Sequence, residues 1–238
     1  MTERNAIFIT GVSKRLGLAL AHHFLDEGWQ VLGTYRSERS ELDSLWDKGA
    51  TLFQCDFQDM SEVEDLIATV REKQPGLRAL IHNASDWLAE GKGIPNGEVF
   101  DRMMNVHAKV PYLMNLGLKA NIERNGDQLG DIIHITDYVA ARGSKKHFAY
   151  AASKAALENL TLSFAAAFAP KIKVNAIAPA LLKFNEGDDE AYQKKALSKA
   201  SLPWEGSFEA AIEAVEYLLN SRYITGRTIH LDGGRHLK

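Results

Sequence analysis

The chain has 238 residues, enough for one large α/β domain or two small ones. With 45% hydrophobic and 25% charged residues and a formal net charge of −3, it lacks the global positive field that would hold nucleic acid or an anionic membrane. Cys55 is the single cysteine, which excludes an intrachain disulfide, a cysteine-based zinc site and a redox pair.

Short apolar runs alternate with longer amphipathic stretches from end to end. Strands are expected at Ala6–Thr10, Gln30–Thr34, Thr51–Cys55, Ala79–His82, Asp131–Thr136, Lys173–Ile177 and Arg227–Leu231. Most lack polar alternation, as in strands covered by helices on both faces. Helices are expected at Arg15–Glu27, Ser61–Glu72, Val99–Ala120, Tyr150–Phe168 and Phe208–Leu219. This rhythm predicts right-handed βαβ units in one Rossmann-type, doubly wound α/β domain over 1–238. No linker, repeat or membrane-length apolar run interrupts it, and the first apolar run is too short for a signal peptide. A soluble, unprocessed, cytoplasmic protein is the expectation. The polar segment Leu181–Gly206 breaks the rhythm and reads either as a helical lid over a site or as a solvated excursion.

The first strand runs into Thr10-Gly11-Val12-Ser13-Lys14-Arg15-Leu16-Gly17 and then an apolar helix. Such a turn lets backbone N–H groups meet a pyrophosphate at the positive end of a helix. The spacing is not G-x-G-x-x-G, so its placement after a strand and before a helix carries the weight. Lys14 and Arg15 are unfavourable beside a helix N-terminus unless an anion is present, which points to phosphate contact. After the second strand, where an NAD-preferring fold places a carboxylate, stand Arg36 and Ser37. A guanidinium and a hydroxyl suit a 2′-phosphate, favouring NADP over NAD. Asp56 and Phe57 after the third strand are placed for the adenine end. Asn83-Ala84-Ser85 forms a small-residue turn at the sheet's carboxyl edge.

Tyr150 and Lys154 stand four apart on a helix and share one face. The lysine charge is expected to lower the phenol's pKa and favour its role as proton donor. Taken in order, Thr10-Gly11…Gly17, Asn83-Ala84, Tyr150-x-x-x-Lys154, Asn175-Ala176-Ile177-Ala178-Pro179 and Asp232-Gly233-Gly234 resemble the short-chain dehydrogenase/reductase superfamily over essentially the whole chain. That resemblance implies a seven-stranded parallel sheet, a nicotinamide cofactor, usually a homotetramer, and no metal. It also implies that Lys154 holds the nicotinamide ribose while Tyr150 relays a proton, with Pro179 and Leu181 beside the cofactor.

Two departures from the superfamily pattern narrow the substrate. A serine usually stands about thirteen residues before the tyrosine, and here that position is Asp137. An ionised carboxylate repels a developing alkoxide but suits the N–H groups of a nitrogen-rich ring. The alternative is that Thr136 or Ser144 replaces the serine and Asp137 is structural. The helix asparagine of the superfamily falls at His107, which is expected near Lys154, organising a water, with its charge state open.

Arg15, Arg36-Ser37, Asn83-Ala84-Ser85 and Asp137 with Tyr150 resemble the pteridine reductases. In that group an aromatic side chain stacks one face of the pterin, a position matched here by Trp87, and Arg15 and Ser85 contact cofactor phosphate and pterin. Phe184-Asn185-Glu186 and Asp232-Gly233-Gly234-Arg235-His236-Leu237 are most similar to the bacterial dihydromonapterin reductases, which also reduce dihydrofolate. The expected reaction is NADPH-dependent reduction of a 7,8-dihydropterin. A carbonyl reductase of the same superfamily is the alternative, against which Asp137 and Trp87 argue. A non-catalytic NADP(H) sensor is a more distant one, against which the intact Tyr150–Lys154 pair argues.

Overall fold

The computed structural model describes residues 5–123 and 128–238. Seven strands form one parallel sheet: β1 (Ala6–Ile9), β2 (Gln30–Tyr35), β3 (Thr51–Gln54), β4 (Ala79–His82), β5 (Gly130–Ile135), β6 (Ile172–Pro179) and β7 (Thr228–Leu231). Their spatial order is β3-β2-β1-β4-β5-β6-β7. The chain therefore reverses its direction of winding between β1 and β4, the place where an open parallel sheet gapes at its carboxyl edge. In register, Ile9 stands opposite both Gly33 and Ile81, so the turns after β1 and β4 leave the sheet side by side.

The helices are α1 (Arg15–Asp26), α2 (Asp43–Asp47), α3 (Met60–Lys73), α4 (Asn96–Met104), α5 (Val110–Gly117), α6 (Lys119–Glu123), α7 (Phe148–Phe168), α8 (Glu190–Leu197) and α9 (Phe208–Asn220). Side chains alternate across the sheet and build two cores. Ile7 and Ile9 pack with Leu20 and Phe24 of α1 and Val215 and Leu218 of α9. Phe8 points the other way, with Leu66 and Val70 of α3, Met114 of α5 and Phe164 and Phe168 of α7. Truncating a fully buried side chain such as Phe8 or Phe24 to alanine would cost about 3–5 kcal/mol.

The expected helix Val99–Ala120 is broken. Between α4 and α5 the chain makes a π-turn over Asn105–Lys109, and α5 ends at Gly117. A wider turn inserts one residue into the helical period, and Val106, His107 and Ala108 are all buried where one face of an α-helix would recur only every three or four residues. A Cβ at Gly117 would lie 2.4 Å from Cγ2 of Ile67, so the chain tightens there to let α3 approach. Within 181–206 the structure places one two-turn helix, α8, capped by the Asp189 side chain on the backbone N–H of Tyr192. No helix of the structure is long and apolar enough to cross a membrane.

Candidate active site

A cleft of about 680 Å³ opens at the carboxyl edge over the β1–β4 reversal. One end is made by the turn after β1. Gly11 adopts φ +74°, and a Cβ there would lie 2.8 Å from the Ala84 backbone. A Cβ on Gly17 would sit 2.1 Å from the Gly11 carbonyl oxygen and 2.4 Å from Nδ2 of Asn83. These glycines let the two turns interlock. The Thr10 hydroxyl accepts from the backbone N–H groups of Asn83 and Ala84, each at 3.0 Å. The Asn83 amide donates back to the carbonyls of Thr10 and Gly11, also at 3.0 Å. The Asn83 side-chain donor is thus spent on holding the turn, while the residue still lines the cleft.

Helix α1 starts with no capping side chain and no acidic residue in its first turn, with Lys14 at its N-cap. Its free N–H groups and positive pole suit an anion. Arg15 takes φ +53°, a left-handed conformation that costs a non-glycine residue roughly 1–2 kcal/mol. The conformation carries the guanidinium to the segment after β6, where it donates to the Lys183 carbonyl at 2.6 Å and Oδ1 of Asn185 at 2.9 Å. Arg15 thus ties the glycine turn to the 181–206 segment, a contact between residues 170 apart that no local pattern announces.

Arg36 and Ser37 are exposed along the cleft, with Asp56 and the buried Phe57 nearby. Oδ1 of Asp56 accepts from the Gln58 backbone at 3.0 Å. Asp86, not singled out from sequence, lies 3.4 Å from both Arg36 and Arg102 and orders the Trp87 backbone N–H at 2.9 Å. Its position three residues past Asn83 was the available signal. The donor set of this end (glycine turn, uncapped helix, Lys14 and Arg36) fits a dinucleotide phosphate, and the two residues directly after β2 are Arg36 and Ser37 where an NAD-preferring fold places a carboxylate, with Asp86 reaching Arg36 from the turn after β4.

At the other end, Tyr150 donates to Oδ2 of Asp137 at 2.8 Å. Asp137 is fixed by its other oxygen, which accepts from the Val139 backbone at 2.8 Å and caps a single 3-10 turn, Tyr138–Ala140. Burial pushes the Asp137 carboxyl above the usual carboxylate range, against the pull of its hydrogen bonds and of the Lys154 and Arg235 charges. Burial and the Asp137 charge hold the Tyr150 phenol well above its ordinary value. The expectation that Lys154 lowers the phenol's pKa is therefore reversed. Lys154 lies fully buried with its ammonium donating to the Ile135 carbonyl at 2.8 Å, 5.8 Å from the phenol ring centroid, while the carboxylate touches the hydroxyl directly. Desolvation in turn lowers Lys154 to about 8.

His107 stands behind this pair rather than in the cleft. It is 1% exposed, and burial and Lys154 hold its pKa well below the ordinary value, so the imidazole is neutral. Both ring nitrogens are engaged at 2.8 Å, Nδ1 with the Ser153 hydroxyl and Nε2 with the Ser85 hydroxyl. The expected water next to this ring has no nitrogen left to bind. Ser153 donates its own proton to the Tyr150 carbonyl, so His107 must donate from Nδ1, and Nε2 accepts from Ser85. Ser85 also lies within hydrogen-bond reach of the Tyr150 hydroxyl and lines the cleft beside it.

Trp87 lines the cleft with its indole 59% exposed, its far side tilted against His147 at 4.2 Å between centroids. Of the suggested substitutes for the missing serine, Ser144 lies in a different cleft. Thr136 donates to Glu158 and the Ile177 carbonyl at 3.1 and 3.2 Å. Asp137 alone of the three engages Tyr150. Pro179 and Leu181 border the cleft at the end of β6. Among the described residues no cluster of metal-ligating side chains is present.

Comparison with known proteins agrees with this fold. A family model described as Enoyl-(Acyl carrier protein) reductase matches residues 11–236. The chain is 50% identical over 232 residues to a dihydromonapterin reductase of Klebsiella pneumoniae subsp. pneumoniae, covering 98% of this chain and 97% of the relative. It is 46% identical over 237 residues to the Escherichia coli K12 dihydromonapterin reductase, covering 100% and 99%. The crystal structure of FolM alternative dihydrofolate reductase 1 from Brucella canis, complexed with NADP, superposes with a TM-score of 0.87 at 28% identity, covering 100% of this chain and 96% of that one. On its sheet, its glycine turn, its Tyr150–Lys154 pair and these relatives, the chain belongs to the short-chain dehydrogenase/reductase family.

Proposed function

We propose that the protein reduces a 7,8-dihydropterin to the tetrahydropterin with NADPH, with dihydromonapterin the preferred substrate and dihydrofolate accepted. The observation that carries this reading is the 2.8 Å bond between Tyr150 and Asp137 in place of the usual serine. The names of the relatives, dihydromonapterin reductase and alternative dihydrofolate reductase complexed with NADP, support it.

NADPH, when bound, supplies a hydride to C6 of the ring. Lys14, Arg15 and the turn Gly11–Gly17 hold its pyrophosphate, Arg36 and Ser37 its 2′-phosphate, and Lys154 its nicotinamide ribose. Leu16, Asp56, Phe57, Asn83, Ala84, Pro179 and Leu181 shape that half of the cleft. Trp87 offers an open π-face to a flat heterocycle. Ser85 accepts from the ring's N–H groups, its orientation set by neutral His107. Tyr150 and Asp137 serve N5 as a pair: the phenol stays protonated, and burial brings the carboxyl toward holding a proton as well. The 181–206 segment, fastened to Arg15, covers the substrate.

Apolar side chains exposed on α4, α5 and α7 (Phe100, Tyr112, Leu116 and Leu162) support assembly through these helices into the family's homotetramer, and the sequence features above a cytoplasmic home. NADPH oxidation measured in parallel with dihydromonapterin, dihydrobiopterin, dihydrofolate and a simple ketone tests the activity. Turnover of the ketone alone would replace it with carbonyl reduction. Asp137→Ala and Tyr150→Phe are each expected to lower kcat by about 10²–10⁴-fold with NADPH affinity unchanged. Near-normal rates in both would remove the site assignment.

A further inference from the structure

We propose that a second, basic cleft beside the active site docks an anionic chain carried on C6 of the substrate, a reading that rests on dihydropterin reduction as the activity. This cleft, of about 690 Å³, is lined by Tyr138, Arg142, Lys145, Lys199, Arg235 and Lys238, with no aspartate or glutamate along its wall. None of the five cations takes part in an ion pair among the described residues. Arg142, Lys145, Lys199 and Arg235 place four like charges around one opening, Lys238 carrying an α-carboxylate beside its ammonium, and in a chain of net charge −3 their concentration here needs a physical reason. An anion supplies it.

The cations are arranged around a fixed frame. The guanidinium carbons of Arg142 and Arg235 lie 5.6 and 5.8 Å from the Tyr138 ring centroid, and Arg142 also donates to the Tyr138 hydroxyl. Lys238 donates to the Ser198 carbonyl at 3.0 Å, drawing the chain end to the turn after α8. Lys145 and Lys199 carry no hydrogen bond from their ammonium groups among the described residues and are exposed.

The two clefts meet at one dipeptide. Asp137 belongs to the catalytic cleft and Tyr138 to the basic one, and the 3-10 turn that Asp137 caps fixes their relative direction. The Arg235 charge is felt at the Asp137 carboxyl. In a dihydropterin, N5 and C6 are adjacent ring atoms. If Asp137 and Tyr150 serve N5, the C6 substituent leaves the ring beside Asp137, and the next wall it meets is Tyr138 with its guanidinium groups. Carboxylates or phosphates on that substituent would find unpaired cations within reach. The shared chemistry is an anionic chain, either γ-linked glutamates on a folate-type side chain or phosphate esters on a polyol one.

The test is steady-state kinetics of the full chain with four substrates: dihydromonapterin, dihydrofolate with one glutamate, dihydrofolate with five γ-linked glutamates, and the triphosphate ester of dihydromonapterin. Each is assayed on the wild type and on the Lys145→Gln/Lys199→Gln double variant, neither residue belonging to the catalytic machinery. For at least one multiply charged substrate the wild type is expected to show a KM lower than for its less charged counterpart, with the advantage shrinking as salt rises. The double variant is expected to raise that KM about tenfold, the size of two partly exposed ion pairs, with kcat and the dihydromonapterin KM unchanged. Whether glutamate or phosphate gains identifies the source. Equal KM values for neutral and charged substrates at low salt, or an equal shift for both in the variant, would overturn the inference while leaving the reductase reading intact. No NADPH oxidation with any of the four would remove the reductase reading itself.

Discussion

The phenolic oxygen of Tyr150 lies 2.8 Å from Oδ2 of Asp137, a bond that pairs two acids whose ionised forms are both disfavoured by burial. Beneath them Lys154 is the nearest charge, lowered to about 8 by desolvation and pulled upward by Asp137. The ammonium is present below that pH and lost above it, so kcat/KM should fall through an alkaline limb near pH 8 in the free enzyme. Asp137→Asn removes the charge that holds the ammonium on and should move this limb to lower pH. A pH profile of kcat/KM for both proteins checks it, and a limb that stays in place would detach Asp137 from Lys154.

The proposed 2′-phosphate contact is made by an exposed guanidinium, that of Arg36. Arg36→Ala should weaken NADPH binding by about 10–100-fold, the worth of a charge-assisted phosphate contact, and leave NADH nearly unchanged. Fluorescence titration of both nucleotides reads the ratio. Equal losses would mean that Arg36 acts on the fold through Asp86 instead.

Gly17 has no room for a methyl group, because its Cβ would collide with the Gly11 carbonyl and the Asn83 amide. Gly17→Ala should cost about 1–3 kcal/mol of stability and most of the NADPH affinity together, since relief of the clash must part the two turns. Thermal unfolding with and without NADPH measures both effects.

A line of buried polar groups crosses the core below the site. His82 Nε2 meets Oδ1 of Asn115 at 2.8 Å, the Asn115 amide meets His134 Nε2 at 3.2 Å, and His134 Nδ1 meets Thr161 at 2.8 Å. Burial lowers His82 to about 4 and His134 well below its ordinary value. The unfolded chain protonates these rings near pH 6.5 and the folded one resists, so they should withdraw a few kcal/mol of stability as pH falls from about 6.5 toward 4. Urea midpoints across that window test this, and a flat midpoint would mean the imidazoles ionise in place without cost.

The sheet was legible because its five inner strands are buried on both faces, and Tyr150 with Lys154 because a four-residue spacing on a helix leaves few arrangements open. Asp137 was legible as a departure at a fixed distance from the tyrosine. The direction of the Tyr150 shift was not, since it depends on which charge touches the hydroxyl, and spacing alone cannot rank a carboxylate in contact against an ammonium whose bond goes to a backbone carbonyl. The break at Asn105–Lys109 was hidden because a π-turn keeps every residue helical and changes only the phase of burial. Asp86 between Arg36 and Arg102, and the reach of Arg15 to Asn185, escaped because both join distant parts of the chain, and for Arg15 an unusual φ makes the contact.

The fastening of Thr10 and Asn83 gives the cleft a thermodynamic character. The turn after β1 and the turn after β4 share hydrogen bonds, so neither can be ordered alone. The cost of ordering the two turns is therefore met together on folding, and a substitution that parts one turn should loosen the other.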